Sequence, residues 1–346
     1  MTTTVGILGA TGAVGQRLIQ LLDPHPQFEI AAVTASEDSA GKSYREAAKW
    51  RIGTPIPESV ADLEVRQTDP TYVPNDIDLL FSSLPSSVGE AVEPKFAEAG
   101  YVLSSNSSNF RTDPDVPLTI PEVNPEHLDL IEVQRDERGW DGAIIKNPNC
   151  STITMVPPLA ALDDAFGLER IDVSTLQAVS GAGYNGVSSM EIIDNAIPHI
   201  GGEEKKMETE SRKLLGEFDG AAVRWNSFDV AASCNRIPTL DGHLENVWAD
   251  TSADVTPEEV VEAMESYPSA DELYSSPEQL IRVFEEPDRP QPRLDRNRDN
   301  GMGIAVGGVQ ETTGGVQFNC LAHNTLRGAA GASILNGELL LEEGYI

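Results

Sequence analysis

Near the N-terminus a short apolar run breaks into glycines and restarts as an amphipathic helix, an order that few folds accommodate. Residues 4–9 read TVGILG, residues 9–15 read GATGAVG, and residues 14–23 read VGQRLIQLLD, stopped by Pro24. Gly9, Gly12 and Gly15 hold the first, fourth and seventh places of the turn. That departs from the G-x-G-x-x-G spacing, but the physics is shared. Glycine lets the backbone turn sharply and approach a pyrophosphate, whose charge then rests on free N–H groups at the helix N-terminus. A strand before the turn and a helix after it predict a dinucleotide site.

The next runs continue the pattern. FEIAAVTA, IDLLFSSL and GYVLSSN read as buried strands, with the helix SSVGEAVEPKFAEAG between the last two. Continuous apolar strands alternating with helices predict a parallel, doubly wound sheet, an N-terminal Rossmann-like domain in an α/β chain. After Cys150 the strands lengthen: LERIDVSTLQAVSG, GHLENVWADTSAD, MGIAVGGVQE and GVQFNCLAHN. TPEEVVEAMESY is a capped helix, with Thr256 as N-cap and Glu259 three places on. These elements predict an α+β catalytic and dimerisation domain with a mixed sheet. FEEPDRPQPRLDRNRDNG reads as a loop or linker, and NTLRGAAGASILNGELLLEEG as a helix returning to the first domain. The expected division is 1–149 with 324–346 for dinucleotide binding, and 150–323 for catalysis and dimerisation.

Charge narrows the partners. Asp and Glu number 56 against 24 Lys and Arg, a net charge of −32. Nucleic-acid binding needs clustered Lys and Arg, so it is not expected. The acids are scattered along the chain, which predicts a salt-adapted surface whose self-repulsion counterions screen, the alternative being an ordinary acidic cytosolic protein. No apolar run is long enough to span a bilayer and no secretion signal opens the chain, so no membrane partner and a cytoplasmic location are expected. Cys150, Cys234 and Cys320 stand far apart with no CxxC pair, which predicts neither a zinc site nor disulfides.

Cys150 has the more telling setting. It follows Asn147-Pro148-Asn149 and precedes Ser151, Thr152 and an apolar run that reads as a helix. A helix N-terminus should lower a thiol's pKa, which predicts an exposed, activated nucleophile. The ordinary alternative is a buried small hydrophobe at a domain junction. Cysteine beside a nicotinamide implies capture of an aldehyde as a thiohemiacetal, hydride loss and a thioester. The cofactor is decided in TASEDSAGKSY: Ser36, Ser39 and Lys42 favour a 2′-phosphate, whereas Glu37 and Asp38 oppose one. NADP is expected, with NAD possible.

The stretches GILGATGAVGQRL, SSNSSNFR, NPNCSTI, LQAVSGAGYNGV, EEKKMETE, NRIPTLDGH and HNTLRGAAGASILN, in this order, resemble the aspartate-β-semialdehyde dehydrogenases of archaea and fungi. That resemblance implies reduction of β-aspartyl phosphate to the semialdehyde with NADPH, releasing phosphate, on the route to lysine, threonine and methionine. It implies a homodimer or homotetramer acting on a small-molecule substrate and inorganic phosphate. It makes Cys150 the nucleophile, His243 the acid/base and Gln177 the residue that positions the reacting group. Arg236 would clamp the α-carboxylate, Glu203 the amino group, and Arg111 with Lys206 the phosphate, while Asn149 shapes the oxyanion or phosphate site. Thr11, Gly12, Ala13 and Val14 match the phosphate turn; Ser36 and Ser39 match the 2′-phosphate site. Ser180, Gly181, Gly183 and Asn324 match the nicotinamide surroundings. Asp38 stands where archaeal relatives often carry Arg. The alternatives are a malonyl-CoA reductase on the same scaffold, which has no phosphate to hold, and a non-catalytic NADP-binding regulator. N-acetylglutamyl-phosphate reductase is more distant, preferring Gly-Cys-Tyr where this chain has Asn149-Cys150-Ser151.

Overall fold

The computed structural model describes residues 2–346. Strands β1 (Thr3–Leu8), β2 (Phe28–Ala35), β3 (Val65–Gln67), β4 (Leu79–Ser82), β5 (Val102–Ser105) and β6 (Ala143–Lys146) form a parallel sheet in the order β3-β2-β1-β4-β5-β6. The order reverses at β1, so a crevice opens at the carboxyl ends of β1 and β4. Alternate residues face opposite sides, and both sides are covered. Val5, Ile7, Leu79 and Phe81 share one apolar cluster with helix α1 (Ala13–Leu22). Leu8, Leu80, Leu103 and Ile144 share another with Phe96 and Ala97 of α2 (Ser86–Glu98). Helix α3 (Leu130–Arg138) precedes β6. Burial on both faces explains why these strands read as continuous apolar runs.

Helix α4 (Thr152–Phe166) leads into the second sheet. Its strands are β7 (Leu168–Gln177), β10 (Asp229–Arg236), β11 (His243–Thr251), β12 (Ile281–Phe284), β13 (Ile304–Glu311) and β14 (Gly315–Ala322). A small hairpin, β8 (Glu217–Phe218) with β9 (Val223–Arg224), stands apart. The order β10-β7-β11-β14-β13-β12 is mixed, parallel at both edges and antiparallel in the centre. Helices α4, α5 (Glu203–Leu214) and α6 (Pro257–Glu265) cover one face through Ile153, Val156, Met207 and Val260, packed on Val173, Val247 and Phe318. Thr256 and Glu259 make the expected reciprocal cap. The other face presents Ser174, Asn246, Gln317 and Trp248, the last 42% exposed.

Helix α7 (Gly331–Glu342) returns to the first sheet, where Ile334, Leu335 and Leu339 join the cluster of α1. The segment read as a loop or linker, 284–301, does connect β12 to β13, with only a four-residue helix at Pro292–Asp295 and a short turn at Arg298–Gly301. Asp295 is buried there against Arg289 and the Gln291 N–H. One strand escaped the sequence reading. DVAASCNR is strand β10, whose small residues carry little β signal; parallel pairing with β7 puts Arg236 opposite Gln177.

Arg327, in the turn before α7, makes a bidentate, fully buried pair with Glu122, at 2.6 and 2.9 Å. Replacing Arg327 by Met should leave a buried carboxylate alone and cost about 3–5 kcal/mol of stability. Denaturant unfolding at fixed salt checks this. A loss below about 1 kcal/mol would mean that water reaches Glu122.

Candidate active site

Loops at the carboxyl edge of the first sheet meet one end of the second sheet around a cavity of about 400 Å³. The phosphate turn forms one wall. Gly9 has φ +78°, and a Cβ on Gly15 would stand 2.4 Å from the Gly9 carbonyl, so the helix start lies directly on the turn. Gly12 stands at the N-cap of helix α1 and supplies no side-chain cap, leaving the first N–H groups for an anion. A nicotinamide dinucleotide's pyrophosphate fits that cradle. Ala13 and Val14 line the cavity, with Thr11 and Gly12 just before them. Ser36 and Ser39 lie beyond β2, in a turn closed by Ser39 N–H donating to the Ser36 carbonyl. Lys42 donates to the Asp38 carbonyl at 2.6 Å. Glu37 and Asp38 are exposed.

Cys150 stands four residues after β6, half-buried, with Sγ 3.2 Å from His243 Nε2. The helix-end donors expected to activate this sulfur are used elsewhere. Asn149 Oδ1 accepts from the N–H groups of Ser151 and Thr152, at 2.9 and 3.2 Å. Burial pushes the Cys150 thiol up to about 12, and Glu203 adds to that; Lys206, Arg236 and Arg111 pull the other way. The exposed, helix-activated cysteine is thus corrected to a sheltered one whose ionisation relies on His243 and nearby cations.

His243 opens β11 and is fully buried. Its Nδ1 accepts from the Ala178 N–H at 3.1 Å. A neutral ring then carries its proton on Nε2, facing the sulfur. Burial, then Arg236 and His323, lower its pKa to about 3. The carbonyl of the same Ala178 accepts from Arg236 Nη1 at 2.6 Å, so one residue orients both side chains.

The other predicted residues gather here. Gln177, Arg111, Glu203, Lys206, Arg236, Asn149, Ser180, Gly181, Gly183 and Asn324 all line the cavity. Lys206 pairs with Glu203 at 3.0 Å, whereas neighbouring Lys205 is exposed. Glu203 also accepts from the Asn149 side-chain amide. Asn324, expected beside the nicotinamide, joins the Gly242 N–H to the Ser180 hydroxyl at 2.8 Å each. Cys234 is core, its sulfur against Met207.

Sequence reasoning missed three contributors. Ala178 acts through its backbone, which carries no side-chain signal. Glu210 sits seven residues after Glu203 in the quoted EEKKMETE stretch, so helical spacing could have found it. Gly328 presses on Cys150: a Cβ there would lie 2.7 Å from Cys150 Cβ and 3.2 Å from its Cα. Gly328→Ala should displace Cys150 and lower kcat about 100-fold, because small misplacements of a reacting group cost that much. Steady-state kinetics beside a thermal melt check it; kcat within twofold of the parent would show that the turn yields.

Residues 4–131 match the family model "Semialdehyde dehydrogenase, NAD binding domain", and residues 159–327 match "Semialdehyde dehydrogenase, dimerisation domain". The aspartate-semialdehyde dehydrogenase of Methanothermobacter thermautotrophicus is 54% identical, over 98% of this chain and 99% of its own. That of Schizosaccharomyces pombe is 46% identical over 99% of each. The crystal structure of the Candida albicans enzyme with NADP superposes with a TM-score of 0.92, at 41% identity and full coverage of both chains. With similarity running end to end through both matched domains, the chain belongs to the aspartate-semialdehyde dehydrogenase family.

Proposed function

We propose that this chain reduces β-aspartyl phosphate to L-aspartate β-semialdehyde with NADPH and releases phosphate, through a thioester on Cys150. The observation that carries the reading is the contact at 3.2 Å between the buried His243 and Cys150, which lines a cavity together with Arg236, Arg111 and Lys206. Arg236 suits a carboxylate, since its planar fork offers two parallel bonds. Arg111 and Lys206 suit a phosphate, and Glu203 an ammonium. A CoA thioester would leave the phosphate-holding pair without a task.

In the biosynthetic direction Cys150 gives its proton to the phosphoryl group it displaces: the sulfur bonds to the acyl carbon as the carbon–oxygen bond to phosphate breaks, and the protonated phosphate stays between Arg111 and Lys206. NADP, when bound, supplies hydride-transfer chemistry at its nicotinamide. His243 Nε2–H donates to the sulfur and then to the oxygen that gains charge in the hemithioacetal, whose collapse frees the aldehyde and the thiolate. Gln177, 1% exposed, holds the carbonyl beside Cys150. The dinucleotide unit is 1–149 with 324–346, and the catalytic unit is 150–323.

The test is NADP⁺ reduction by purified protein with L-aspartate β-semialdehyde, with and without phosphate, in molar KCl, beside an NAD⁺ arm. Phosphate-dependent turnover is expected, faster with NADP⁺. No turnover by folded protein sinks the reading.

The open face of the second sheet suits a second copy, since the matched model for 159–327 describes a dimerisation domain. Trp248, hydrogen-bonded to Gln317 at 2.8 Å, is its largest exposed apolar side chain. Trp248→Glu should halve the mass measured by light scattering, because two like charges would meet across a two-fold axis. An unchanged mass would put the interface elsewhere.

A further inference from the structure

Helix α5 carries Glu203, Lys206, Glu210 and Lys213 at spacings of three, four and three residues, which align on one helix face. Glu210 is 2% exposed, and both of its oxygens are engaged. Oε1 accepts from Arg111 Nη1 at 3.0 Å; Oε2 accepts from the Asn149 N–H at 2.6 Å. One carboxylate therefore spans the arginine that faces the phosphate and the peptide just before Cys150.

The surroundings leave that span little freedom. Arg111 Nη2 donates to the Asn106 carbonyl at 2.9 Å. Lys213 Nζ donates to the carbonyls of Arg111, Asp113 and Val116, at 3.0, 2.6 and 2.7 Å, pinning the segment that carries Arg111. Glu203 grips the Asn149 side chain, so α5 holds that residue at two points two turns apart. Two of the five guanidinium N–H groups of Arg111 are taken by Glu210 and Asn106, so donors remain for an anion in the cavity its side chain lines, and its buried Nε has no protein partner.

We propose that Glu210 is a positioning residue that fixes the phosphate-binding arginine relative to the nucleophile, coupling phosphate binding to the placement of Cys150. This rests on the reading of Cys150 and Arg111 given above. A buried pair serving stability alone would make different predictions. Glu210→Gln keeps the shape, but its amide offers one acceptor where two donors converge, so one of the two bonds is lost. The link between Arg111 and Asn149 then opens although the helix remains.

The experiment compares wild type, Glu210→Gln, Glu210→Asp and the control Glu208→Gln, which makes the same charge change elsewhere on α5. Kinetics would be run in the phosphate-dependent direction, beside protection of Cys150 from iodoacetamide by inorganic phosphate. For Glu210→Gln, the phosphate KM should rise roughly tenfold and kcat fall roughly tenfold or more, with the semialdehyde KM within about twofold. Phosphate protection should be lost, and the control should match wild type. Glu210→Asp keeps the charge but is one methylene short, so the same parameters should move by smaller factors. If Glu210→Gln does not fold, the aspartate variant decides. A lower melting temperature with unchanged phosphate KM and intact protection overturns the proposal. Absence of phosphate-dependent turnover in wild type would instead overturn the functional reading.

Discussion

Cys150→Ala is expected to lower NADP⁺ reduction by on the order of 10⁴-fold or more while leaving cofactor binding within about twofold. The sulfur forms the only covalent bond to substrate in the proposed reaction, and no other cysteine can replace it. Cys234 and Cys320 are both buried in the core of the second sheet. Alanine removes one atom from a position already crowded by Gly328, so the fold should tolerate it. Cys150→Ser separates nucleophilicity from shape. Its hydroxyl ionises far less readily than a thiol, and the shelter that pushes the thiol up to about 12 would hold the alkoxide higher still. The serine variant should therefore be about as inactive as the alanine variant. Initial rates, cofactor titration and a thermal melt check this together. A residual rate within tenfold of wild type, in a folded variant that binds NADP⁺, would mean that the substrate reacts without a thioester.

What the sequence made legible follows from where the chemistry resides. The glycine turn was readable because its steric demand is local, and the structure places Gly9 at positive φ and Gly15 against its carbonyl. The long strands of the second sheet were readable because their Val, Ile, Thr, Phe and Trp residues contrast with the turn residues around them. Strand β10 was not, because Ala231, Ala232 and Ser233 carry no such contrast. Cys150 was found by position, but its activation was misread. Sequence can place a residue before a helix; it cannot show that Asn149 has already taken the helix's free N–H groups. Arg236, His243 and Gln177 came from the family resemblance, and their convergence depends on register between strands distant in sequence.

His243 is the second residue whose loss should be severe. His243→Ala should lower kcat by about 10²–10⁴-fold, the usual range for a positioned acid/base. The network around it specifies more than presence. Because Nδ1 accepts from the Ala178 N–H, the neutral ring presents Nε2–H to Cys150, so it serves first as a donor to the sulfur. It cannot take the thiol proton at Nε2 without shifting tautomer and losing the Ala178 bond. The groups facing the ring are Cys150, Arg236 and His323. Burial first, then Arg236 and His323, set its pKa near 3, so it is neutral across the working range of pH and gains a proton only in strong acid. The pH profile of the free enzyme should then show no acid limb near 6.5 that His243→Asn removes. The ¹⁵N spectrum of His243 should show a pyridine-type Nδ1 and a protonated Nε2 at pH 7. A protonated Nδ1 at that pH, or an acid limb near 6.5 that disappears in the variant, would make the ring a base toward Cys150 and break the assignment of its proton.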